Sequence, residues 1–256
     1  MKNNDNDALL PYAEVIGEAD RTIIFLHGWQ RSGDYFRDLA MALQPDFSAH
    51  LLDLPGFGRS PKPAKAWGSV EFAECVENYI CKLAKEQIIL IGHSFGGRVS
   101  LRLAVKRPDL VSHMILIGSH GLRAKRGFFK EIKFIALTVS GKILKKIDQI
   151  IGFDFFKDLL AHRFGSRDYK QAGALKDILV KLVAEDQTES AKNISCQTLL
   201  IWGANDQETP PEMGKRLNKL IKNSHYIELE DLGHEPFNGP GLSLVAYHIK
   251  KFLASS

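Results

Sequence analysis

Ile88-Ile89-Leu90-Ile91-Gly92-His93-Ser94-Phe95-Gly96-Gly97 is the stretch on which the fold turns. Four aliphatic residues make a short buried strand. A Gly-x-Ser-x-Gly turn follows, and a helical pattern runs from Phe95 to about Lys106. A strand, a sharp turn centred on serine and then a helix form a nucleophile elbow. So tight a turn forces the serine backbone into strain. Side chains two residues before and after it would clash, which explains glycine at 92 and 96. The Ser94 hydroxyl then stands above the strand end. The Phe95 amide lies at a helix N-terminus, where developing negative charge is favoured.

The same alternation extends outward on both sides. On the N-terminal side, Thr22–Leu26 is a buried strand ending at His27-Gly28-Trp29. Residues 33–44 are helical in pattern, and His50–Leu54 is a strand leading into Pro55-Gly56-Phe57-Gly58. Ser69 reads as the N-cap of a helix reaching Lys85. On the C-terminal side, Met114–Ile117 is a strand. Later come a strand at Thr198–Trp202, a helix at Pro211–Ile221, a strand at Tyr226–Leu229 and a helix at Leu242–Leu253. This order predicts an α/β fold with a mostly parallel sheet and helices on both faces. Between Ser119 and Ser195 the alternation stops. Segments 127–139, 141–151, 154–162 and 168–184 read as helices. Residues 1–118 and 196–256 are therefore expected to form the core, and 119–195 an inserted helical lid.

A serine needs a general base. His234 lies in Leu232-Gly233-His234-Glu235-Pro236-Phe237, between a strand and the last helix. His93 flanks Ser94 too closely to serve it, and His27 reads as a support for the loop carrying Trp29. The base in turn needs a carboxylate to orient it. Asp206 follows the strand Leu199–Trp202 and precedes His234 by one helix and one strand. Glu208 and Asp231 are its rivals. The backbone N–H of Trp29, just after the first strand, is a second candidate donor to an oxyanion, beside that of Phe95.

Together these segments resemble the α/β-hydrolase superfamily over nearly the whole chain. The matching stretches are HGW at 27–29, DLPGFGRS at 53–60, GHSFGG at 92–97, WGANDQETP at 202–210 and LGHEPF at 232–237. The resemblance implies a sheet of seven to eight strands and a helical lid. It also implies a Ser94–His234–Asp206 triad, an oxyanion hole at Trp29 and Phe95, and no cofactor or metal. The serine argues against the branches that use an aspartate nucleophile. With about twenty residues before the first clear strand, one N-terminal strand is expected to be missing.

The implied activity is hydrolysis of a carboxylic ester or thioester with a small or apolar acyl group. Other chemistry on the same triad stays open: carbon–carbon bond hydrolysis, perhydrolysis or acyl transfer. So does a binding or signalling role that keeps the triad as a ligand pocket. Substrate contacts are expected from His27, Trp67, Phe128 and Phe129, the last two in an aromatic-rich lid.

The chain's 256 residues suffice for a single α/β domain, and its three cysteines carry no paired spacing. Cys75, Cys81 and Cys196 read as small reduced core residues of a cytoplasmic protein. No run is long and apolar enough to span a bilayer, and the polar N-terminus is unlike a signal peptide. Net charge is only +4, which does not call for nucleic acid. It is unevenly placed: residues 119–195 hold 15 of the 34 basic and 9 of the 30 acidic side chains. Such a lid offers a docking surface for an acidic carrier protein or an anionic membrane surface.

Overall fold

The computed structural model describes residues 9–122 and 172–255. The elements in chain order are β1 (Tyr12–Ile16), β2 (Thr22–Leu26), α1 (Arg37–Ala42), β3 (Ser48–Asp53), α2 (Ser69–Lys82), β4 (Ile88–His93), α3 (Phe95–Lys106) and β5 (Val111–Ile117). After the segment 123–171 come α4 (Lys176–Ala184), α5 (Thr188–Lys192), β6 (Gln197–Gly203), α6 (Pro211–Leu220), β7 (Ser224–Leu229) and α7 (Leu242–Ala254).

The described strands form one seven-stranded sheet in the order β1-β3-β2-β4-β5-β6-β7. β1 runs antiparallel to β3, and every other pairing is parallel. Parallel strands buried on both faces are apolar at successive positions. β2 shows this directly. Ile24 and Leu26 join a core layer with Phe72, Val99 and Leu217 from α2, α3 and α6. Ile23 and Phe25 join the opposite layer with Leu39, Val245 and Ile249 from α1 and α7.

Because β4, β5 and β6 are parallel and in register, their C-terminal ends reach one edge. His93 pairs with Ile117, and Ile117 with Ile201. Gly203 pairs with Leu229 at the end of β7. Open α/β sheets place ligand sites outside this edge.

Several sequence expectations need correction. The described sheet has seven strands, one short of eight, and its edge strand β1, which the sequence did not reveal, pairs along β3 with Tyr12 opposite Asp53. It is partly exposed at the sheet edge, so it lacks the continuous apolar run that marks a central strand. Residues 33–44 form a 3₁₀ turn at Gly33–Phe36 and then a short α-helix, not one helix. Ser69 is the first residue of α2 and not its cap; Gly68 is the cap, with its N–H donated to Glu71 at 2.8 Å. Ser69 is occupied elsewhere, donating its backbone N–H to Glu185 at 2.9 Å. Cys81 is exposed on α2, whereas Cys75, six residues earlier, is buried. The expected helices at 127–139, 141–151 and 154–162 lie outside the described residues. Of 168–184, the described part is the turn Gly173–Leu175 and α4.

Candidate active site

Ser94 joins β4 to α3 with φ 51° and ψ −110°. That is an unusual conformation for a residue with a side chain, and the surroundings impose it. A side chain at Gly96 would run into the Leu26 carbonyl of the neighbouring strand. One at Gly92 would meet Ser100 Oγ at 2.5 Å and the Gly97 Cα at 2.7 Å. The two glycines thus let β2, β4 and α3 close around the turn. Among the described residues Ser94 Oγ makes no hydrogen bond, and Ser94 borders a cleft of about 660 Å³. Gly28, Trp29, Phe95, His120, Glu208 and His234 line the same cleft.

His234 reaches it from the loop after β7. Its Nδ1 donates to Asp206 Oδ2 at 2.9 Å. Asp206 is fully buried in its side chain and follows β6 directly. Its Oδ1 accepts the backbone N–H groups of Glu208 and Thr209 at 2.9 and 2.8 Å. The Thr209 hydroxyl lies 2.7 Å from Oδ2 and 2.9 Å from the Gly118 carbonyl. Burial opposes the Asp206 charge, but the bonds from His234 and Thr209 outweigh it and hold the carboxyl below its ordinary range. At His234 burial disfavours the imidazolium; the hydrogen bond and charge of Asp206, with Glu208 and Glu235, overcome it and raise the pKa. His234 Nε2 is left facing the cleft, 3.3 Å from Glu208.

Two features seat this loop. Gly118 has φ 47°, and a side chain there would crowd Asp206 Oδ2 at 3.1 Å and His234 Nδ1 at 3.2 Å. His93 packs its ring 4.6 Å from that of His234 and donates Nε2–H to the His234 carbonyl at 2.9 Å. Burial, then the nearby His234, lowers the His93 pKa to about 3, so its ring is neutral at pH 7.

Trp29 and Phe95 border the same cleft as Ser94. Phe95 opens α3, so its N–H has no acceptor in a preceding turn. The Trp29 N–H finds no acceptor among the described residues. Their rings pack edge to face at 5.8 Å.

Of the residues expected to touch substrate, two are not in the cleft. His27 is fully buried beneath it. Its Nδ1 donates to the Gly28 carbonyl at 2.8 Å, and its Nε2 accepts the Leu54 N–H at 2.9 Å. Burial lowers its pKa to about 4, consistent with a neutral ring locked in one tautomer. Trp67 packs edge to face on Phe72 at 5.4 Å, away from the cleft lining. Phe128 and Phe129 lie outside the described residues. Of the two rival carboxylates, Asp231 is exposed in a turn, while Glu208 faces Nε2 and not Nδ1.

The sequence reading missed Thr209, His120 and Arg98. Thr209 had a signal, three residues beyond Asp206 in an Asx-type turn. His120 and Arg98 had none, because their relation to Ser94 depends on how β5 and α3 present them. Among the described residues no group of three histidine, cysteine, aspartate or glutamate side chains could hold a metal ion. None of their helices is long and apolar enough to cross a membrane.

A parallel sheet with serine, histidine and aspartate converging at its C-terminal edge defines an α/β-hydrolase architecture. The family described as alpha/beta hydrolase fold matches residues 21–238, and the chain belongs to it. It is an enzyme of the α/β-hydrolase class. "Uncharacterized hydrolase YugF" of Bacillus subtilis (strain 168) is 28% identical, covering 91% of this chain and 90% of that protein. "Pimeloyl-[acyl-carrier protein] methyl ester esterase" of Aeromonas hydrophila is 26% identical, covering 84% of this chain and 89% of that one. Among solved structures, an esterase from Exiguobacterium antarcticum superposes with a TM-score of 0.72 at 21% identity. The match covers 94% of this chain and 95% of that one.

Proposed function

We propose that the chain is a serine carboxylic ester hydrolase. The observation that carries this reading is the His234 Nδ1–Asp206 Oδ2 bond of 2.9 Å in the same cleft as a strained Ser94 whose hydroxyl has no hydrogen-bond partner among the described residues. His234 Nε2 takes the Ser94 proton as Oγ bonds to the ester carbonyl carbon. The amides of Trp29 and Phe95 stabilise the resulting oxyanion. Each such donor is worth roughly 2.7–4 kcal/mol in a comparable site. The tetrahedral intermediate collapses, His234 passes the proton to the departing alkoxide, and an acyl-enzyme remains. Water, deprotonated by His234, then attacks the acyl carbon, and as the C–Oγ bond breaks the imidazolium returns that proton to Ser94 Oγ and the acid is released. Asp206 holds the imidazole in the required tautomer and stabilises its charged form.

Residues 119–195 serve in this reading as the lid over the cleft. Their basic excess, and the relatives named for an ester on an acyl-carrier protein, favour an ester presented by an acidic carrier.

The test is turnover of p-nitrophenyl acetate and butyrate, together with labelling by a fluorophosphonate. Wild type should hydrolyse both esters and take up the label, and Ser94→Ala should do neither. Labelling without ester turnover would move the reading to carbon–carbon hydrolysis, perhydrolysis, acyl transfer or ligand binding. Absence of labelling would remove Ser94 as the nucleophile.

A further inference from the structure

Arg98 is a cation in the cleft lining that takes no part in the proposed reaction. Arg98 lies on α3, four residues after Ser94, or about 6 Å along the helix at 1.5 Å per residue. Helical side chains lean toward the N-terminus, which for Arg98 is the direction of Ser94. Only 6% of the residue is exposed, and it borders the same cleft as Ser94, His120 and Leu182. Among the described residues it gives one hydrogen bond, Nη1 to the Glu185 carbonyl at 3.2 Å. A guanidinium has five N–H donors and stays charged in proteins.

Neighbouring arginines are provided for differently. Arg31, also in the cleft lining, is paired with Glu235 at 2.6 Å. Arg102, one turn beyond Arg98, faces the Glu185 carboxylate at 3.8 Å and donates to Ser69 Oγ at 3.1 Å. That carboxylate also accepts both the N–H and the hydroxyl of Ser69. Glu185 and Asp186 lie near enough to steady the Arg98 charge, and the bond that Arg98 makes to Glu185 goes to its backbone carbonyl, not its carboxylate. A buried charge without a paired carboxylate is costly, and such groups persist where a partner arrives.

His120 adds the second group. Its backbone N–H donates to the Ser94 carbonyl at 3.1 Å, which places it beside the turn on the β5 side. Burial, followed by the Arg98 charge, lowers its pKa to about 4. The neutral ring supplies one N–H donor to the cleft that Arg98 also lines.

We infer that Arg98, with His120 lining the same cleft, forms an anion subsite, so that a small ester carrying a free carboxylate on the same molecule binds in preference to its neutral diester. The chemical class is a half-ester of a dicarboxylic acid. The inference deepens the esterase reading and rests on it for the word ester. Binding at Arg98 can nevertheless be measured without turnover.

The experiment uses the full chain with Ser94→Ala, which removes hydrolysis. Binding of the monomethyl esters of succinate, glutarate and adipate is compared with that of the matching dimethyl esters by calorimetry. The pairs differ in one charge and one methyl group. At least one monoester should bind about tenfold or more tightly than its diester, the size expected of a charge-assisted bond in a dry site. Adding Arg98→Gln, which keeps an amide donor for the Glu185 carbonyl, should abolish the preference. Arg98→Lys, which keeps the charge without the fork, should retain part of it. Equal binding of every pair to Ser94→Ala overturns the inference with no Arg98 variant needed. Persistence of the preference in a folded Arg98→Gln protein overturns it too. Failure of wild type to turn over any ester, with the monoester preference intact, would instead refute the esterase reading and leave the anion subsite standing.

Discussion

His234 has two nitrogens with different surroundings, and the difference sets a pH dependence. Nδ1 is tied to Asp206, while Nε2 faces the cleft with Glu208 3.3 Å away. The base must be neutral to accept the Ser94 proton, so activity falls as His234 becomes protonated. Its carboxylate neighbours raise its pKa above the ordinary 6.5, which moves that fall to higher pH. The acid limb of kcat/KM for p-nitrophenyl butyrate should therefore have its midpoint above pH 6.5. Glu208→Gln removes one of the charges that favour the imidazolium and should shift the midpoint downward. Its carboxylate is 68% exposed, so solvent screens it and the shift should be smaller than that from Asp206→Asn. A midpoint unchanged by both substitutions would separate the acid limb from His234. His234 and Asp206 were readable in the sequence because each follows a recognisable strand in a short glycine-containing loop. Thr209, Gly118 and His93, which fix the geometry of that pair, act across loops from different strands. Only the fold brings them together.

Among the elements, the β4–α3 turn comes close to β2 at Gly96. The Ser100 hydroxyl donates to the Gly96 carbonyl at 3.0 Å within the first turns of α3. A methyl group on Gly96 would occupy the place of the Leu26 carbonyl, and backbone cannot swing aside as a side chain can. Gly96→Ala should destabilise the fold by about 3 kcal/mol, the upper end for an overpacked interior. Urea denaturation followed by far-ultraviolet circular dichroism measures this; a loss below about 1 kcal/mol would show that α3 can shift at little cost. The central strands were legible because a strand covered on both faces has no polar positions to blur its pattern. β1 was not, since it lies at an edge, with Tyr12 and Val15 exposed and its other residues half-buried, so neither a continuous nor an alternating apolar pattern marks it. The cap of α2 was misplaced for a related reason. Ser69 has the chemistry of a cap, but its hydroxyl meets Glu185, Arg102 and Gln187, all distant in sequence.

For the molecule as a whole, charge is the property that sequence reports well and local structure reports poorly. The core is close to neutral overall, while the span between β5 and β6 carries 15 basic and 9 acidic side chains. A positive surface accelerates encounter with an acidic partner, and salt weakens that attraction as the screening length falls from about 10 Å at 0.1 M to about 3 Å at 1 M. If residues 119–195 dock an acidic carrier, kcat/KM for an ester borne on an acyl-carrier protein should drop about tenfold between 0.05 and 0.5 M sodium chloride. The uncharged p-nitrophenyl butyrate controls for effects on chemistry and folding, and its kcat/KM should change by less than about twofold over the same range. A half-ester bound at Arg98 sits in the cleft, where a buried pair is screened far less than surface charges. Its salt response should fall between the other two. The carrier-borne substrate is the discriminating one. If its rate tracks that of p-nitrophenyl butyrate at every salt concentration, the basic span plays no part in recruiting substrate, and its charge belongs to the solvated face of the molecule.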